Sequence, residues 1–87
     1  METQNPNRIA HIGIIVEDSG AVERLNATLH QYAPYIIGRM GIPCPTHGVS
    51  VISVILDAPA DIISALSGKL GMLKGVGAKT LYAKVSQ

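Results

Sequence analysis

The chain has 87 residues, no Trp or Phe, one Cys, and a net charge of +1 from seven basic and six acidic residues. That is one small domain whose core must be aliphatic, and the single thiol excludes an internal disulfide. The seven scattered basic residues form no stripe of the kind that binds nucleic acid, and no apolar run reaches the ~20 residues of a transmembrane helix, so neither nucleic acid nor a membrane is an expected partner.

Residues 1–7 are polar and read as an N-terminal tail, with residues 8–87 as the single domain. The tail has no basic segment leading into an apolar one, so no signal peptide is expected and the expected location is cytoplasmic. Arg8 to Val16 follows as a strand. Ala10, Ile12, Ile14 and Val16 share one face and Ile9, His11, Gly13 and Ile15 the other, so both faces are largely apolar. Glu17-Asp18-Ser19-Gly20 is a turn into a helix expected over residues 21–33, with Val22, Leu25, Leu29 and Tyr32 on its buried side. Asp18 or Ser19 caps its first turn, and Pro34 stops it.

A second strand is expected over Tyr35 to Ile42, where Gly38 and Gly41 suggest a bulge or a close backbone approach. Pro43 to Gly48 is a loop containing Cys44 and His47. Val49 to Leu56 is a third strand, again apolar on both faces: Ile52, Val54 and Leu56 on one, Val49, Val51 and Ile55 on the other, with Ser53 the polar break. Asp57-Ala58-Pro59 is expected to open a second helix. Its stripe is Ile62, Leu66 and Leu70, joined by Ile63; Gly71 caps its end, and Gly68 within it suggests a close packing contact. Ala78 to Val85 is the last strand.

The order βαββαβ, with right-handed crossovers, is an α+β ferredoxin-like arrangement: a four-stranded antiparallel sheet with both helices on one face. Its first and third strands are central. Those are the two that read apolar on both sides, so the face away from the helices presents Ile9, His11, Ile15, Val49, Val51 and Ile55 with nothing in the chain to cover them. A mean hydropathy of +0.30 is high for so small a domain. The expectation is a homo-oligomer, dimer or tetramer, joined through that face.

Several stretches carry a resemblance. Ile15-Val16-Glu17-Asp18-Ser19-Gly20-Ala21-Val22 resembles the opening of ACT-type regulatory domains. Tyr35-Ile36-Ile37-Gly38-Arg39-Met40-Gly41-Ile42-Pro43, Leu56-Asp57-Ala58-Pro59 and Ser64-Ala65-Leu66-Ser67-Gly68-Lys69-Leu70-Gly71 resemble the regulator family of the iron-only hydrogenase system. The resemblance runs from about Arg8 to Lys84. It implies an ACT-like fold, related to the C-terminal domain of the nickel-responsive repressor, and a non-enzymatic, effector-sensing role in transcriptional regulation. The second strand holds none of the repressor's metal-binding histidines, and the seven residues before the first strand are too few for its ribbon-helix-helix domain, so neither nickel nor direct DNA binding is expected to carry over. Two alternatives stand beside this reading: a structural protein that binds a metalloenzyme maturation factor, and a metal sensor using Cys44 and His47.

The candidate residues each have a plainer explanation. Asp18, Ser19 and Gly20 at a helix start offer amides to a small effector, and ordinary capping accounts for them equally. Arg39, if Gly38, Met40 and Ile42 face the helices, projects to the open side, where it binds a carboxylate or pairs across subunits; a solvated charge on an edge strand is the plain alternative. His11 is an interface histidine or a satisfied packing residue. Cys44 and His47 are two ligands where a closed structural zinc site needs four. No catalytic set and no phosphate-binding loop can be assembled, and no cofactor is expected.

Overall fold

The computed structural model describes residues 6–84. Strand β1 (Asn7–Val16) leads through a 3-10 turn at Ser19–Ala21 into helix α1 (Val22–Gln31), and a second 3-10 turn (Ala33–Tyr35) leads into β2 (Ile36–Cys44). A third such turn (Pro45–His47) joins β2 to β3 (Val49–Pro59); helix α2 (Ala60–Gly71) and strand β4 (Val76–Tyr82) complete the fold. The sheet order is β2-β3-β1-β4 with every pairing antiparallel, which is the ferredoxin-like order with β1 and β3 at the centre.

One face of the sheet is sealed by the helices. Ala10, Ile12, Ile14 and Val16 of β1 and Ile52, Val54, Leu56 and Ala58 of β3 are buried against Leu25 and Leu29 of α1 and Ile63, Leu66 and Leu70 of α2. The strands alternate and the helices repeat at 3.6 residues, so these side chains meet in one layer. Thr80 on β4 donates to the Ser67 hydroxyl on α2 at 3.1 Å, which ties the outer strand to the second helix.

The boundaries differ from expectation in ways the pairing explains. Asn7 belongs to β1, because it pairs with Pro59; residues 1–5 of the expected tail lie outside the described residues. The same pairing holds Asp57 and Ala58 in β3, so α2 opens at Ala60 and Pro59 is its extended capping residue rather than its first turn. Val76 pairs with Val16, so β4 begins two residues earlier than expected; Val85 lies outside the described residues. Val22 is exposed at the mouth of a cleft rather than buried in the α1 stripe. Gly68 meets nothing, so its expected packing contact is absent. Gly71 is the last helical residue, without positive φ.

The expected irregularity in β2 is present. Ile36 pairs with Leu56 and Gly38 with Ile55, so Ile37 is an extra residue, a β-bulge. The bulge inverts the alternation beyond it. Arg39 pairs with Val54, whose side chain lies under the helices, and the Arg39 guanidinium donates to the Asn26 side-chain oxygen on α1. Arg39 therefore lies on the helix side, not the open side. It is exposed there, and Arg39→Ala should change stability by less than about 0.5 kcal/mol in urea denaturation.

Candidate functional site

Two surfaces remain once the core is closed: the uncovered sheet face and a cleft at one end of it.

The uncovered face is built by alternation. Ile9, His11, Gly13 and Ile15 come from β1, Val49, Val51, Ser53 and Ile55 from β3, with Met40 and Ile42 from β2 and Leu81 from β4 beside them. Large apolar side chains stand out from it: Met40 is 60% exposed, Ile42 52% and Leu81 69%. All six residues expected at an interface lie on this one face. At its centre His11 Nε2 and the Ser53 hydroxyl form a hydrogen bond of 3.2 Å. This pair was not foreseen, since a same-face pattern does not say which side chains are diagonal neighbours; the register, with Gly13 opposite Ser53, does. The two polar groups in the middle of an apolar surface thus satisfy each other, and burying the face strands neither.

The cleft, of about 440 Å³, lies between the β1–α1 turn and the β2–β3 connection. Glu17, Asp18 and Ser19 form one wall, and Pro43, Cys44, Pro45, Gly48, Val49 and Ser50 the other. Local geometry places these groups. Asp18 is extended, with φ −128° and ψ 111°, and its carboxylate accepts from the Gly20 amide at 2.9 Å while its carbonyl accepts from the Ala21 amide at 2.9 Å. Behind it the Glu17 amide donates to the Gly75 carbonyl at 2.7 Å. Gly75 has φ +81°, and a Cβ placed on it would run into the Asp18 Cβ. The close approach that fixes the turn is thus made by Gly75. Gly48, with φ +67°, closes the opposite wall. Asp18→Ala removes the cap and should cost about 1 kcal/mol, with Asp18→Asn close to wild type, measured by urea denaturation.

The candidate residues therefore separate. Asp18, Ser19 and Cys44 share the cleft. Gly20 has its amide taken by Asp18. Arg39 lies elsewhere, in a hollow with Asn26 and His30 beside α1. His47 sits exposed on the 3-10 turn after Cys44 and does not line the cleft. Among the described residues no three His, Cys, Asp or Glu side chains gather as a metal-holding group. The acids Glu17 and Asp18 line the cleft without a basic residue, so its electrostatics favour an amine or a neutral polar molecule over an anion. Among the described residues no helix is long and apolar enough to cross a membrane.

Comparison with known proteins bears on this arrangement. The TM1266-like family, described as "Iron-only hydrogenase system regulator, putative", matches residues 8–80. The chain belongs to this family. The solved structure of the uncharacterized protein TM1266 from Thermotoga maritima is 34% identical, with a TM-score of 0.86, covering 90% of this chain and 99% of that one. The C-terminal domain of the MgtC protein from Mycobacterium tuberculosis, solved in solution, is similar with a TM-score of 0.70 at 13% identity, covering 99% of this chain and 98% of that one; this likeness is one of fold alone. No curated protein matches the chain. The TM1266-like match spans both central strands and both walls of the cleft.

Proposed function

We propose that this chain is a non-enzymatic regulatory module of the iron-only hydrogenase system that works as a homo-oligomer joined through its open sheet face and holds a small effector in the adjoining cleft. The observation that carries the reading is the face itself: all four strands contribute apolar side chains to it, its central His11 and Ser53 are already paired, and its charged residues are Asp57 at one end of β3 and Lys79 on the edge strand β4. A regulatory module needs a ligand to bias one arrangement over another, which requires the ligand to contact what differs between them. Cys44 and Val49 meet this requirement: they pair across β2 and β3 at the end of the open face and also line the cleft. An effector there touches the rim of the assembled surface. Any action on transcription runs through a DNA-binding partner protein, because the seven basic residues form no nucleic-acid stripe.

The test is a thermal-shift screen with amine-bearing metabolites, amino acids, nucleotides and metal salts. A true effector at about 100 times its Kd stabilises by roughly 2.7 kcal/mol, and Ser19→Trp, which fills the cleft, should abolish that shift. A screen that moves nothing removes the effector from the account. A shift by metal salts alone that is lost in Cys44→Ser and His47→Ala would replace it with the metal-sensing reading.

A further inference from the structure

The face is knobbed in a pattern that complements itself, and the pattern selects one way for two copies to meet. Reading across the sheet from β2 to β4, one row is Gly38, Ile55, His11 and Leu81. The next is Met40, Ser53, Gly13 and Lys79, and the third is Ile42, Val51, Ile15 and Gly77. In the two outer rows a glycine at one edge of the sheet stands level with a large aliphatic side chain at the other. At the β4 edge, Ile9, His11, Ile55 and Leu81 also border a shallow apolar groove of about 220 Å³. At the same end of the strands, on the β2 edge, the bulge residue Ile37 is 61% exposed.

We infer that a second copy packs on this face about a two-fold axis running parallel to β1 and β3, laying β2 of each copy over β4 of the other. This rests on the homo-oligomer reading and specifies its geometry. Such an axis exchanges the two edges of the sheet and keeps each row level with itself. Leu81 then faces the second copy's Gly38, Ile42 faces its Gly77, and Ser53 faces its Gly13. Ile37 comes over the groove, the aliphatic stem of Lys79 packs on the Met40 thioether, and Asp57, level with Ile9, faces the second copy's Ile9 at the end of the strands. Every contact is made twice, as an isologous interface requires.

The obvious competitor is an axis running across the strands through the middle row. It stacks each strand on its own counterpart, brings Lys79 against Lys79, and leaves the groove opposite Gly77 and Ile15. Two ammonium groups facing each other over an apolar surface carry a desolvation and repulsion penalty that the first arrangement avoids. The size also suits a second copy. Four strands about 4.8 Å apart, over seven residues of about 3.4 Å, present roughly 450 Å² in projection. The relief of the side chains enlarges that toward the ~800 Å² each partner gives to a standard interface. A net charge of only +1 per chain adds little repulsion between copies.

The test uses two variants in a Cys44→Ser background, Gly38→Cys and Leu81→Cys, with a bis-maleimide whose reach matches the about 10 Å between packed sheets. Both should fold, since a Cβ at Gly38 meets Ile55 at an ordinary 3.7 Å and Leu81 is exposed. Co-expressed with different tags, they should give a covalent heterodimer as the main product on a denaturing gel, while either chain alone stays monomeric on that gel. Gly77→Leu, which fills the gap facing Ile42, should weaken assembly in sedimentation, and adding Ile42→Gly should restore it. A species that sediments as an oligomer, yet crosslinks Gly38→Cys to itself or not at all, overturns the axis and leaves the homo-oligomer reading intact. A wild-type chain that sediments as a monomer overturns both.

Discussion

Gly75→Ala is expected to destabilise the protein by roughly 2–4 kcal/mol, a fall in Tm on the order of 10–25 °C. Two causes add. At φ +81° an L side chain is strained, and the new Cβ would collide with the Asp18 Cβ. Relief would require the Glu17–Gly75 backbone hydrogen bond of 2.7 Å to open, and with it the junction of β1, β4 and the first 3-10 turn. A domain of this length has a total stability of about 5–10 kcal/mol, so the loss is a large share of it. Gly68→Ala is the control of opposite sign. Gly68 is exposed on α2 with nothing within 4 Å, so adding a methyl there raises helix propensity and should stabilise by about 0.5–1 kcal/mol. Thermal and urea unfolding of the two variants beside wild type reads both effects.

Val51→Lys is expected to abolish assembly while leaving the fold intact. Val51 pairs with Ile15 on β1 and Ile42 on β2, in an apolar row of the open face, and is 37% exposed in the single chain. In one subunit the lysine stem lies along the sheet and its ammonium reaches water. Under a second copy the charge is buried without a partner, at a cost of about 3–5 kcal/mol, or roughly 10²–10⁴-fold in the association constant. Circular dichroism should be unchanged while sedimentation shifts toward the monomer. Met72→Lys, at a residue that is not on the sheet, should leave both unchanged.

Much of this was legible in the residues because two periodicities did the sorting. Strict alternation over β1 and β3 separated Ile12, Ile14, Val54 and Leu56 from Ile9, Ile15, Val51 and Ile55, and the topology placed the two strands side by side. Parity failed where one residue was added. The bulge was anticipated from the glycines of β2, but its position was not, and a single extra residue at Ile37 moved Arg39 to the opposite face. Glycine roles were hard to assign for a related reason. Gly68 was expected to make the close contact within α2, yet it is Gly75, in the turn before β4, that lies against Asp18, 57 residues away in the chain and adjacent only once β4 pairs with β1. The His11–Ser53 bond depends on register in the same way. The strands that outran expectation, β3 to Pro59 and β4 from Val76, did so because a partner strand was present to hold them, a tertiary effect that local propensity does not contain.

The central claim is that the open face of the sheet is a subunit interface. Sedimentation equilibrium of the wild-type chain at high micromolar concentration, with light scattering on the same sample, measures it directly. The account predicts a dimer or tetramer that Val51→Lys dissociates; a wild-type monomer of 9.2 kDa at that concentration would contradict it.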